Sequence, residues 1–167
     1  MTQPVLIFGY GNLSRGDDAL GPLLLDAISD KIDLASIEIL SDFQLQIEHA
    51  LDLENRALVL FIDASVSCEK AFDFFELQAS KDKSFTTHAM SPAAVMQVYQ
   101  SIKNHSPPPC FLLSIQGISF ELGEALSLQA KDNLRHALKF TENLLNNTEV
   151  GFWRQQQSDI YKEPDIA

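Results

Sequence analysis

Apolar residues recur along this chain in two rhythms, short continuous runs and spacings of three and four, and the rhythms alternate. The run Val5–Phe8, bounded by Gly9, reads as a buried strand. Leu20, Leu23, Leu24, Ala27 and Ile28 then fall at helical spacing. Ser36–Leu40 alternates as a second strand does, and Ile47, Ala50, Leu51 and Leu53 predict a helix over Gln44–Glu54. Arg56–Asp63, "RALVLFID", is the most continuous apolar run and reads as a central parallel strand ending in Asp63. Ala71–Gln78 predicts a further strand, antiparallel at an edge. Ser91 and Pro92 open a helix, serine as N-cap and proline at the first helical position, that runs to about Lys103. Cys110–Gly117 is another buried strand, and Leu134, Ala137, Leu138, Thr141, Leu144 and Leu145 give the apolar face of a long helix over Leu128–Leu145.

This alternation predicts the α/β class: a three-layer αβα sandwich with right-handed crossovers and a mostly parallel central sheet of about five strands. A single domain is expected over residues 1–148. The chain turns polar near Asn146, and residues 149–167 are expected to form a loose polar tail.

Composition narrows the function classes. The net charge of −11 repels nucleic acid and anionic membrane, and no Lys/Arg cluster offsets it. No apolar run reaches the roughly 18 residues that span a bilayer. The N-terminus lacks a basic segment before its strand, so a cytoplasmic protein is expected, with a monomer as the default. Cys68 and Cys110 lie far apart in apolar surroundings and read as two buried thiols, not a disulfide.

In such sheets ligands collect at the carboxyl ends of the strands. The loop after the first strand, "GYGNLSRGDDALG", begins like a dinucleotide-binding loop with Gly9 and Gly11 but has Ser14 at the third position. Asp17 and Asp18 stand where backbone N–H groups would hold a pyrophosphate, which disfavours an oxidoreductase. Capping of the following helix is the expected role of Asp17; for Asp18, local sequence leaves capping and ion binding open. Asp63 ends the central strand at the same rim, and His88 follows the next crossover in "TTHAMSP". His49, His105 and His136 read as surface residues. Asp18, Asp63 and His88 form an incomplete ligand set for a borderline divalent ion, with positions left for water or substrate.

The segments "GYGNLSRGDDALGP", "LFIDAS" and "HAMSP" resemble, in order and separation, the hydrogenase maturation endopeptidases. "SDFQLQIEHALDLENRALVLFIDAS" and "ISFELGEALS" are similar to the branch serving cytoplasmic bidirectional or NAD-reducing hydrogenases. The resemblance implies a peptide hydrolase that removes the C-terminal extension of the nickel–iron hydrogenase large-subunit precursor after nickel insertion. It places the metal-contacting and catalytic positions on Asp18, Asp63 and His88, where some relatives have glutamate at the first. Nickel would arrive with the precursor, its protein partner, and other divalent metals would substitute for it in a crystal. Asp42 aligns loosely with another acidic position. A non-catalytic, nickel-sensing maturation chaperone is the alternative. No serine or cysteine nucleophile stands out, since Ser14, Ser65 and Ser67 lack an elbow motif.

Overall fold

The structure is a computed structural model that describes residues 2–33, 35–81 and 90–158. Five strands form one sheet: β1 (Val5–Tyr10), β2 (Ile37–Asp42), β3 (Leu58–Ser65), β4 (Phe72–Glu76) and β5 (Cys110–Gln116). Their order is β2-β1-β3-β5-β4, and only the edge strand β4 is antiparallel to its neighbour. The αβα class, the strand count and the antiparallel edge all agree with the alternation in the sequence.

Two clusters of buried side chains lie on opposite faces of the sheet, because alternate residues of each strand point to opposite sides. Val5 and Ile7 of β1 join Leu60 and Ile62 of β3 under α1 (Leu20–Ile28) and α3 (Leu128–Leu145). Leu6, Phe8 and Tyr10 join Val59 and Phe61 under α2 (Pro92–Lys103) and the segment Ile47–Leu53. The helix starts are locally encoded: Ser91 accepts from Ala94 N, and Ser127 accepts from Ala130 N at the head of α3.

Two expectations are corrected. The helix expected over Gln44–Glu54 is a 3₁₀ segment, Ile47–Leu53. Its tighter winding rotates Ala50 and Leu53 inward with His49, while Ile47 and Leu51 are 61% and 55% exposed.

The polar tail is not loose as far as Ser158. A short helix, α4 (Val150–Gln155), buries Trp153 completely, edge-on against the stacked Phe74 and Phe111, with ring centroids 6.1 and 5.4 Å away. Trp153 Nε1 donates to the carbonyls of Leu144 and Asn147 at 3.1 and 2.8 Å, closing the end of α3. Beyond it, Ser158 N donates to Phe74 O and Phe74 N donates to Ser158 Oγ, both at 2.8 Å, which covers part of the β4 edge. One aromatic residue outweighs the polar composition around it. Trp153→Ala should therefore cost about 3–5 kcal/mol in urea unfolding, as loss of a fully buried aromatic does; a polar tail that merely trails would cost nothing.

Candidate active site

The end of β1 sets the geometry. Gly11 has φ of +149°, and a Cβ there would lie 1.9 Å from the carbonyl oxygen of Asp18. The loop can fold back against the strand only because this residue is glycine. Gly21 has the matching role at the start of α1, where a Cβ would come within 2.8 Å of the carbonyls of Tyr10 and Ile62. Between them, Gly16–Ala19 form a 3₁₀ turn carrying both aspartates.

The two aspartates do different work. Asp17 is 0% exposed and does not cap its own helix, contrary to expectation. Its carboxylate accepts from Ile118 N at 2.7 Å, Ser119 N at 3.1 Å, and Ser127 N and Oγ at 2.8 Å each. It clamps the β5–α3 connection to the loop after β1. Burial alone pushes its pKa up, but the hydrogen bonds from Ile118, Ser127 and Ser119 outweigh that and hold it below the ordinary carboxylate value.

Asp18 is half-buried, and its Oδ2 accepts from Asn12 N at 2.8 Å. The N–H groups of Gly11, Asn12, Ser14, Arg15, Gly16, Asp17 and Asp18 all donate within the protein. Such a loop has no cradle of donors left for a pyrophosphate, which agrees with setting aside the dinucleotide reading.

Asp63 points to the same sheet face as Tyr10, and the Tyr10 hydroxyl donates to its carboxylate. Burial raises the pKa of Asp63 to about 7; the Tyr10 and Ala64 hydrogen bonds lower it and the charge of Asp18 raises it. Burial also raises the Tyr10 hydroxyl well above its usual value, with Asp63 and Asp18 adding to the effect. The structure thus brings Asp18 and Asp63 into one electrostatic neighbourhood at the sheet's carboxyl rim. His88 lies outside the described residues, and among the described residues no group of three His, Cys, Asp or Glu is placed to hold a metal.

Strand register extends the site sideways. Tyr10 pairs with Asp42, Asp63 with Ser114, and Ser114 with Asp73. Alternation puts these side chains on one face, so a polar row crosses the sheet from Asp42 through Tyr10, Asp63 and Ser114 to Asp73.

His49 belongs to this row's surroundings and is not the surface residue expected. It is 9% exposed, edge-on to Phe8 at 4.7 Å between centroids. Its Nδ1 accepts from Gln46 N at 2.8 Å, so Nε2 carries the proton, 3.2 Å from Asp42 Oδ2. Tyr10 was legible in principle, since it continues the Leu6–Phe8 alternation to the strand's end. His49 was not, because its inward turn depends on 3₁₀ winding. Cys68 and Cys110 are free and buried, as expected.

No protein-family model and no curated protein sequence matches the chain. Solved structures do. The NiFe hydrogenase maturation protease HycI from Thermococcus kodakarensis KOD1 superposes with a TM-score of 0.67 at 21% identity, over 87% of this chain and 94% of that one. The hydrogenase maturating endopeptidase HybD from E. coli gives 0.67 at 22% identity, over 86% and 93%. A hydrogenase 3 maturation protease gives 0.61 at 16% identity, over 82% and 88%. The chain therefore has the αβα fold that these proteases share.

Asp17→Asn replaces a double acceptor with a group that has one carbonyl, leaving buried donors without a partner. It should cost about 2–4 kcal/mol at pH 7, read by chemical denaturation. Because the folded pKa lies below the unfolded value of about 3.9, the clamp is at full strength above that value and is lost as pH falls through the folded pKa. The difference between wild type and variant should accordingly shrink in acid.

Asp63 has the opposite sign. Its folded value, about 7, stands above the unfolded one, so stability falls as pH rises through the window between them. Tyr10→Phe removes a donor that lowers it, and the Asp63 carboxyl should then titrate above about 7 by ¹³C NMR. An unchanged or lower midpoint would contradict the Tyr10–Asp63 contact.

Proposed function

We propose that this protein is an endopeptidase that trims the C-terminal extension from a nickel–iron hydrogenase large-subunit precursor, with the nickel already in that precursor as the recognition signal. The observation that carries the reading is that Asp18 and Asp63 both stand at the carboxyl rim, close enough for the charge of one to act on the other, in a fold shared with hydrogenase maturation proteases. Two oxygen donors suit a divalent cation, and His88 is the third group the sequence offers. An incomplete set has a purpose here. A site that held its own metal tightly would not report whether the precursor had been loaded.

The surroundings fit a folded protein as substrate. Leu13, Phe43, Ile47, Val66, Ile118 and Leu122 are all more than half exposed. They sit on or beside the connections that follow β1, β2, β3 and β5, which share one rim because those strands are parallel. Large apolar side chains gathered along a rim that carries Asp18 and Asp63 mark a surface that another protein covers.

Asp63 supplies the acid–base chemistry in this reading. A carboxyl with a pKa of about 7 accepts or returns a proton near neutrality far more readily than an ordinary aspartate. The same proton competes with a cation for the carboxylate, so cleavage should gain strength as pH rises through about 7. The chaperone alternative shares the docking surface but gives Asp63 no reason to be so perturbed.

The test is cleavage of purified precursor, followed by the size of the large subunit on a gel. Wild type should cut the nickel-loaded form and leave the nickel-free form intact. Asp63→Asn should remain folded and lose about 100-fold or more in rate. Efficient cutting of nickel-free precursor would remove the sensing role, and normal cutting by Asp63→Asn would remove the site.

A further inference from the structure

One end of the polar row is not used by that reading. Asp73 of β4 lies two strands from Asp63, with Ser114 of β5 between them in register. Its Oδ2 accepts from Cys68 Sγ at 3.2 Å, while its Oδ1 is sealed from solvent and has no hydrogen-bond partner. It is the one such buried side-chain oxygen or nitrogen among the described residues. An anionic oxygen without a donor is costly in that position.

Asp73 lines a cavity of about 580 Å³ whose wall also includes Ser65, Cys68, Phe75 and Ser114. The cavity abuts the candidate active site on two sides. Ser65 follows Asp63 by two residues on the same strand face, and Ser114 is the register partner of Asp63, one strand spacing of about 4.8 Å away. Of the other charged groups in the wall, Glu76 is already neutralised by a two-pronged pair with Arg154, at 2.7 and 2.9 Å. Among the described residues no ion pair engages Asp73. Its charge is therefore the cavity's uncompensated feature.

We propose that this cavity is a side-chain subsite for a cationic residue, arginine or lysine, of the polypeptide bound at Asp18 and Asp63. A guanidinium supplies the donors that Asp73 lacks, the serine hydroxyls are further acceptors, and the Phe75 ring receives the aliphatic stem. The carboxylate needs to turn only about its Cβ–Cγ bond, a broad torsion in aspartate, and the thiol bond it gives up is weak. The occupant as substrate rests on the endopeptidase reading; the chemistry of the cavity does not.

The experiment separates the two. Acetyl-arginine-amide and its neutral isostere acetyl-citrulline-amide are titrated into the full chain and followed by backbone amide NMR. The arginine probe should shift the signals of Ser65, Asp73 and Ser114 and bind about tenfold tighter than citrulline, the scale of a charge-assisted hydrogen bond. Asp73→Asn, confirmed folded by its melting curve, should abolish that preference, and Asp63→Asn should keep it. Equal binding of the two probes, or a preference that survives in Asp73→Asn, overturns the subsite. With nickel-loaded precursor, Asp73→Asn should raise KM about tenfold and leave kcat nearly unchanged. An unchanged KM overturns the substrate role, whereas absence of cleavage by wild type overturns the endopeptidase reading and leaves the probe result standing.

Discussion

The rim of this sheet depends on one buried carboxylate. Asp17 gathers four donors from the β5–α3 connection and is closed off from water. Backbone bonds already tie the loop after β1 to the loop after β5, from Asp17 N to Ser119 O at 2.8 Å, Gly16 N to Glu124 O at 3.1 Å and Gly123 N to Ser14 O at 2.7 Å. The carboxylate closes that seam from the inside, and Asp18, next in the chain, inherits its position. A charged residue is the right tool because each hydrogen bond is charge-assisted and the four together outweigh the cost of burial. That balance also makes the clamp all-or-none: losing part of it leaves an anion buried with too few partners.

A second consequence of the parallel sheet is that polarity accumulates at one edge. The inner strands β1, β3 and β5 are apolar on both faces through most of their length, and the sheet turns polar in one register, at Asp42, Tyr10, Asp63 and Ser114. Asp63, on the central strand at the margin of this sheet, is perturbed chiefly by burial, with the charge of Asp18 adding to it. Tyr10 relieves it in part. An apolar residue in place of Tyr10 would leave Asp63 with one fewer donor, so the hydroxyl tunes the proton affinity of the central group.

Much of the fold was legible because its signals are local. Ser91-Pro92 marks a helix start by capping chemistry, and the face of α3 repeats cleanly from Leu134 to Leu145. The edge strand showed in its mixed pattern, with Asp73 and Glu76 among the aromatic residues of Phe72–Glu76. Asp18 and Asp63 were legible as rim residues because a strand followed by a loop is a topological statement. What the sequence hid is tertiary. Trp153 is a single apolar residue in a polar stretch, and only the stacked Phe74–Phe111 surface waiting for it makes it a core residue. His49 and its neighbours fit an α-helical face equally well on paper, and only the 3₁₀ winding decides which side chains turn inward. The resemblance to a known family guided the choice of Asp18 but carried no signal for Tyr10, His49 or Asp73.

The adjacent pair Asp17-Asp18 shows why local sequence could not divide structure from function. In an α-helix consecutive residues diverge by about 100°, and in the tighter turn that holds this pair by about 120°. Either angle sends one carboxylate toward the β5–α3 connection and the other toward the ends of the central strands. On one side Gly11, with its positive φ, brings the carbonyl of Asp18 against the end of β1. On the other side Gly16, with φ of +54° and a Cβ position 2.6 Å from the carbonyl oxygen of Ser119, seats the backbone just before Asp17 against the β5–α3 connection. The interior carboxylate finds four donors, and its neighbour keeps an oxygen for the rim. Two identical residues thus acquire opposite roles in a turn seated by two glycines, Gly11 and Gly16, a division written in backbone geometry and invisible in side-chain chemistry.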